Sequence, residues 1–274
     1  MHNSFDSFLS DGRCTELAHP DKFNFGLSLF ILVGILVSYL PQHLRIIFRR
    51  SSEGLSPLFV LLGTVSGTCA IFNIVSLPTS QADVACCKEI SGLACTASIL
   101  GIAQVGVQWF CFFIIMLLFI IFIPRPIPSR ANPRASWENT PSPTWREAVT
   151  VVAICMATFV AVFIITGVFF LRYPQNLQVW ANLLGASAGV MACIQYLPQI
   201  WTTWRLQHVM SLSVPMMCIQ TPGSFVFAAS LGLRLGWDGW SAWGVYIVTG
   251  ILQGFLLVMG IIFLIRDRKA DKKV

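Results

Sequence analysis

The sequence predicts an all-α polytopic membrane protein: seven transmembrane helices, arranged as two parallel three-helix-bundle repeats joined by a linker helix (3+1+3). Three observations predict it. Of the 274 residues, 55% are hydrophobic and only 11% are charged, against about 25% charged in an average soluble domain. The apolar residues form long uncharged runs, not the alternating segments of about 10 residues that mark a transmembrane barrel. A tetrapeptide, Tyr-Leu-Pro-Gln, occurs in two of these runs. With a mean hydropathy of +0.73, the chain carries more apolar surface than a soluble globule of its size can hide. A soluble enzyme, a disordered chain and a secreted disulfide scaffold are excluded on that ground.

A helix needs about 20 apolar residues to cross a bilayer. The uncharged runs place spans at Phe25–Phe48, Leu55–Leu77, Ala97–Ile123, Ala148–Leu171, Val179–Trp204, Leu212–Leu233 and Trp240–Ile265. The third run is longer than one helix needs, and its small residues Ser91 to Ala97 read as a lumenal extension. The fourth, VVAICMATFVAVFIITGVFFL, holds no charge or amide and reads as a lipid-facing structural helix. The stretch before Phe25 carries Asp6, Asp11, Glu16 and Asp21 without a basic leader. It is not a signal peptide.

These runs divide the chain into a lumenal or extracellular tail, 1–24, and a first three-helix repeat, 25–123. A Pro- and Arg-rich cytosolic linker, 124–147, an inversion helix, 148–171, a second repeat, 179–265, and a basic tail, 266–274, complete it. Lys and Arg set the orientation. Thirteen of the 18 fall on the side of the linker and C-terminus, and five on the other. The N-terminus is therefore expected in a lumen or outside, and the C-terminus in the cytosol.

Nine cysteines are present. Cys69, Cys111, Cys155, Cys193 and Cys218 fall inside spans and read as packing residues. Cys14, Cys86 and Cys87 fall on the lumenal side. There an oxidising compartment permits a disulfide from Cys14 to Cys86 or Cys87. No Cys/His spacing marks a metal site, and no cofactor is implied.

Tyr39-Leu40-Pro41-Gln42 recurs as Tyr196-Leu197-Pro198-Gln199, displaced by 157 residues. At the same displacement Leu55-Ser56 recurs as Leu212-Ser213, and Thr64 meets Thr221. Gly101-Ile102-Ala103-Gln104 resembles Gly250-Ile251-Leu252-Gln253 at a displacement of 149. Spans 1–3 thus match spans 5–7, and span 4 is left over. Copies four spans apart share one orientation, which makes the repeat parallel. The chain resembles the PQ-loop superfamily, which includes the SWEET sugar carriers, cystinosin-like proteins, vacuolar and lysosomal cationic amino-acid exporters, and the KDEL receptor. The two Pro-Gln pairs and the 3+1+3 layout carry the resemblance. It implies a vacuolar, lysosomal or other endomembrane location, and proline hinges that serve alternating access.

The residues themselves permit that mechanism. Proline within a helix removes one N–H and frees the carbonyl four residues back, here those of Val37 and Ile194. Pro41 and Pro198 read as paired hinges, with Gln42 and Gln199 bringing donors to the same depth. The competing reading is two static kinks that help helices pack. Span 6 carries Thr221-Pro222-Gly223, which should break or bend that helix. Glycine pairs Gly63/Gly67, Gly185/Gly189 and Gly250/Gly254 have the spacing of close helix seams.

Every acidic residue falls in a tail, in a loop or at a span edge. This departs from the proton-driven relatives, which carry a membrane-embedded Asp. His43 and His208 sit at the cytosolic edge. The polar groups within the spans are neutral, and intramembrane polar groups are candidates for function. A substrate path is expected from Asn73, Gln104, Gln108, Asn182, Gln195, Gln220 and Gln253, with Gln104 and Gln253 facing each other across the pseudo-axis. Amides suit an uncharged polar solute or a zwitterion. The competing reading is hydrogen bonding between helices. Trp109, Trp180, Trp201, Trp204, Trp237, Trp240 and Trp243 lie near span ends as aromatic anchors.

The expected function is transport of a small polar solute, an amino acid or a sugar, across a bilayer. The alternative is a non-transporting receptor or regulator of endomembrane trafficking. A seven-span G-protein-coupled receptor is disfavoured by the internal repeat. Enzyme chemistry has no nucleophile–base pair to support it. The basic residues sit at membrane edges, so nucleic acid is not an expected partner; the bilayer is, and a homo-oligomer is compatible with the sequence.

Overall fold

The computed structural model describes residues 12–19, 21–52, 55–123, 144–206 and 214–271. The described residues are mostly helical, with no strand among them. A short helix α1 (12–17) precedes α2 (Lys22–Arg49), α3 (Pro57–Ser76), α4 (Pro78–Cys86) and α5 (Gly92–Ile121). Then come α6 (Trp145–Arg172), α7 (Leu177–Leu206), α8 (Val214–Leu235) and α9 (Trp240–Asp271). Single 3₁₀ turns, Pro174–Asn176 and Trp237–Gly239, introduce α7 and α9.

Local chemistry explains the boundaries. Asp21 caps α2 by accepting from the Phe23 N–H at 3.1 Å. Pro57 opens α3 at the first helical position, where its missing N–H costs nothing. Thr144 and Glu147 form a reciprocal capping box at the start of α6. α8 ends at Gly236, whose φ of +61° suits glycine. Ser91 caps α5, so the small residues read as an extension are helical and α5 reaches 30 residues.

Six helices are long and apolar enough to cross a membrane: α2, α3, α5, α6, α7 with its 3₁₀ turn, and α9. The protein is an integral membrane protein. α8, with 22 residues, is outside that set. Pro222 does not break it. The helix runs on through the proline, held on its inner side by buried Met217, Phe227 and Leu231. Pro41 and Pro198 likewise lie inside unbroken helices.

α5 packs against both α2 and α3, and α9 packs against both α7 and α8. In each triplet the third helix therefore lies between the first two. α3 packs along α7, and α6 rests on α3. Two apolar cores fill these seams. One joins Ile31, Ile74, Leu77, Ala181, Leu231 and Leu235. The other joins Val60, Met116, Phe119, Cys155, Leu184 and Ala188. Phe163, Ile164 and Leu171 of α6 face outward, as expected of a lipid-facing helix.

Three of the six glycines in the expected seams are close-approach positions. A Cβ at Gly63 would collide with Phe112, one at Gly185 with Ser241, and one at Gly250 with Ser224. Gly67 lies against Trp109 and Gly254 against Thr221, but nothing approaches Gly189. Most of the linker, His208, Leu212-Ser213 and the last residues of the tail lie outside the described residues.

Candidate functional site: a polar cavity closed at one end

Six helices, α2, α3, α5, α7, α8 and α9, enclose a cavity of about 720 Å³. Small-molecule sites commonly measure about 300–1,000 Å³. Its polar lining is uncharged: Gln42, Gln108, Gln195, Gln199, Gln220 and Gln253, the phenols of Tyr39, Tyr196 and Tyr246, and a few hydroxyls such as Ser66. Among the described residues, no Asp, Glu, Lys, Arg or His lines it.

The tyrosines and glutamines hold each other in place. Tyr246 Oη donates to Gln108 Oε1 at 3.0 Å, joining α9 to α5. Gln253 Nε2 donates to Tyr196 Oη at 2.7 Å, joining α9 to α7. Ser66 Oγ donates to the Ala188 carbonyl at 3.1 Å, which fastens α3 to α7. Both tetrapeptides reach the cavity through equivalent residues: Tyr39 with Tyr196, and Gln42 with Gln199. Pro41 and Pro198 do not line it.

Of the seven expected path residues, Gln108, Gln195, Gln220 and Gln253 line the cavity, and three do not. Asn73 is buried, and its Nδ2 donates to the Ala181 carbonyl at 2.6 Å and to Ser241 Oγ at 2.9 Å. Gln104 is fully buried and donates to the Ser28 carbonyl at 2.7 Å. Asn182 Oδ1 accepts from Gln178 Nε2 at 3.2 Å. Gln104 and Gln253 therefore do not meet across an axis; each serves its own helix contact. His43 bonds the Cys111 carbonyl at 3.0 Å. Trp180 stacks on Phe169 away from the cavity, with ring centroids 5.1 Å apart. Trp109, read as an anchor, instead lines the cavity.

Beyond Ile31 and Phe227, which line the cavity, lies a cluster that the sequence did not announce. Arg234 of α8 donates to Ser28 Oγ of α2 at 2.6 Å and to the Ala97 carbonyl of α5 at 2.5 Å. Arg13 of α1 pairs with Asp83 of α4 at 2.6 Å and donates to the Arg234 carbonyl at 3.3 Å. Two disulfides fix this assembly. Cys14–Cys86 ties α1 to α4, and Cys87–Cys95 ties the end of α4 to α5. The first was one of two anticipated pairings. The second was not anticipated, because it starts at the end of α4, a helix too short and polar to register as a span. Asp83 is buried, which pushes its carboxyl above the ordinary value while Arg13 pulls it back. The same hydrogen bond raises Arg13.

The fold and cavity define a helical membrane protein with two like-built helix triplets around a polar gap. A family model described as PQ loop repeat matches residues 23–83 and 180–235. Those stretches include α2 and α3 in one copy and most of α7 and α8 in the other. An uncharacterized protein of Schizosaccharomyces pombe is 33% identical over 286 residues, spanning all of this chain and 91% of that protein. This chain belongs to the PQ-loop repeat family of membrane proteins.

Proposed function

We propose that the protein is a PQ-loop transporter that moves a small polar solute without net charge, a sugar or a zwitterionic amino acid, by alternating access. The observation that carries this reading is the uncharged cavity lined by Gln42, Gln108, Gln195, Gln199, Gln220 and Gln253 between the triplets α2–α5–α3 and α7–α9–α8. Amides and phenols satisfy hydroxyls without the penalty of an unpaired buried charge. In this reading α8 is the seventh span and α6 the inversion helix of a 3+1+3 molecule. Pro41 and Pro198 are the paired hinges, since each removes one helix hydrogen bond beside a cavity residue. The cluster of Arg234, Ser28, Arg13 and Asp83 closes one mouth.

The disulfide-bearing face is the lumenal one in this proposal. Disulfides persist in oxidising compartments, and the excess of Lys and Arg lies on the opposite face. An endomembrane of vacuolar or lysosomal type fits both.

The test is flux. The purified protein in liposomes is screened with labelled neutral sugars and zwitterionic, cationic and anionic amino acids. Saturable uptake of an uncharged or zwitterionic solute, lost on Gln108→Leu with Gln253→Leu, is expected. No saturable flux across the panel would overturn the carrier reading and favour a receptor or regulator.

A further inference from the structure

The cavity is not enclosed equally on all sides. On one side α3 and α7 pack along each other, tied by Ser66 and Ala188. On the other, α2 and α8 touch only sparsely. Toward the start of α2, Ile31 shares an apolar core with Phe227 and Leu231, and Arg234 bonds Ser28. Beside and beyond that contact, the two helices leave a gap. Phe30 and Ile219 line the cavity, yet are 74% and 71% exposed. Gly34 of α2 and Gly223 of α8 also line it and are exposed. A Cβ at either would meet nothing within 4 Å, whereas one at Gly63, Gly185 or Gly250 would collide with a neighbouring helix. Gly34 and Gly223 are thus not packing glycines; they border open space.

Polarity varies along this edge. It is apolar at Phe30, Ile31, Gly34 and Val226, and carries Gln42 of α2 and Gln220 of α8 farther from the Ser28–Arg234 contact. The hydrogen-bonded pairs Tyr246–Gln108 and Gln253–Tyr196 lie on α5, α7 and α9. A molecule passing between Gly34 and Val226 meets apolar groups first, and the amides and phenols of α5, α7 and α9 beyond them. The exposed residues beside the gap are apolar, Val33 and Val37 on α2 and Phe225 and Val226 on α8, a surface suited to the hydrocarbon of a bilayer. A head with net charge would be stranded among neutral groups.

We propose that the α2–α8 gap is a lateral portal through which an uncharged amphiphile, with a hydroxyl- or amide-bearing head and one hydrocarbon chain, enters the cavity from the membrane. Its head reaches Gln108, Tyr246, Tyr196 and Gln253, and its chain stays between Phe30 and Ile219. This rests on the reading of the cavity as the transport site, and narrows the substrate class to solutes with an apolar part.

The experiment uses the full-length protein in liposomes and a monoacylglycerol with a diazirine near the end of its chain. A phosphate-headed analogue with the same chain is the control. Irradiation is expected to label peptides of α2 and α8 saturably with the monoacylglycerol and not with the phosphate analogue. Gly34→Trp with Gly223→Trp should cut that labelling about tenfold, and both variants should melt near wild type, because the added ring enters open space. Gln108→Leu with Gln253→Leu should also weaken it, although the gap stays open. Equal labelling by the phosphate analogue, or labelling indifferent to the tryptophans, would overturn the portal and mark annular lipid contact. The two readings fail separately. Saturable labelling without flux of any water-soluble solute removes the small-solute carrier reading and leaves the portal. Flux without saturable labelling removes the portal and leaves the carrier.

Discussion

Arg234 near the end of α8 donates to the hydroxyl of Ser28 in α2 at 2.6 Å, joining residues 206 positions apart. The carbonyl of the same Ser28 accepts from Gln104 of α5 at 2.7 Å. One serine thus links both triplets at the closed end of the cavity. Arg234→Met should cost about 2 kcal/mol, the worth of a hydrogen bond to a charged group. It should also raise solvent access to the cavity from the N-terminal face. Thermal unfolding in detergent and thiol labelling of a cysteine at Gln108 check the two effects. Arg234→Lys should restore little, because lysine lacks the planar fork that spans two acceptors.

Asp83 gives the closed end a pH dependence. Burial raises its carboxyl above the ordinary value, against the pull of Arg13 and Arg234 and with help from Glu16. The folded state therefore binds this proton more tightly than the unfolded state does. Its contribution to stability is complete below the unfolded value and is lost as pH rises through the folded one. Asp83→Asn mimics the protonated form. Melting temperatures of variant and wild type should converge at acidic pH and separate in the variant's favour as pH rises. Parallel curves across that window would refute the assignment.

Gln104 and Gln108 should respond in opposite ways to the same substitution. Gln104→Leu removes the bond from α5 to the Ser28 carbonyl, which keeps its own helix bond, and should cost about 1 kcal/mol. Gln108→Leu removes a cavity amide and should lower uptake; the Tyr246 hydroxyl that loses its acceptor borders the cavity and can turn to water there, so the melting temperature should fall less. Paired melting and flux measurements separate the roles.

Cys14–Cys86 closes a loop of 72 residues. By the chain-entropy estimate its loss should destabilise the protein by about 4 kcal/mol. Cys14→Ser should show this in thermal unfolding, as should reduction of the wild type. Cys87–Cys95, only 8 residues apart, should contribute less.

Much of this was legible in the sequence. Apolar run length revealed six of the crossing helices, and the two Tyr-Leu-Pro-Gln copies marked the residues that enter the cavity from α2 and α7. Helix periodicity could not say how deep a polar residue meets its partner. Gln104 and Gln108 share a face, but one turn decides between the Ser28 carbonyl and the open cavity. Asn73 and Asn182 mislead for the same reason. Run length also hid α4, a helix of 9 residues that is too polar to register as a span. With α4 hidden, the meeting of Arg13 with Asp83 and of Cys87 with Cys95 had no sequence signal.

The prolines bear on motion. Pro198→Ala returns a hydrogen-bond donor to α7. If bending there is part of the cycle, uptake should fall about tenfold, equal to about 1.4 kcal/mol on the barrier. The folded protein should be no less stable. Pro41→Ala should act similarly, and the double variant more strongly.

Access to the cavity from the two faces tests the central claim most directly. The five unpaired cysteines, Cys69, Cys111, Cys155, Cys193 and Cys218, are replaced by alanine and Gln108 by cysteine. A membrane-impermeant maleimide is then applied to one face or the other of oriented vesicles. Labelling from both faces, with the N-terminal-face rate raised by Arg234→Met, is the predicted result. Labelling from a single face, unchanged by Arg234→Met, would contradict a cavity that opens to each side in turn.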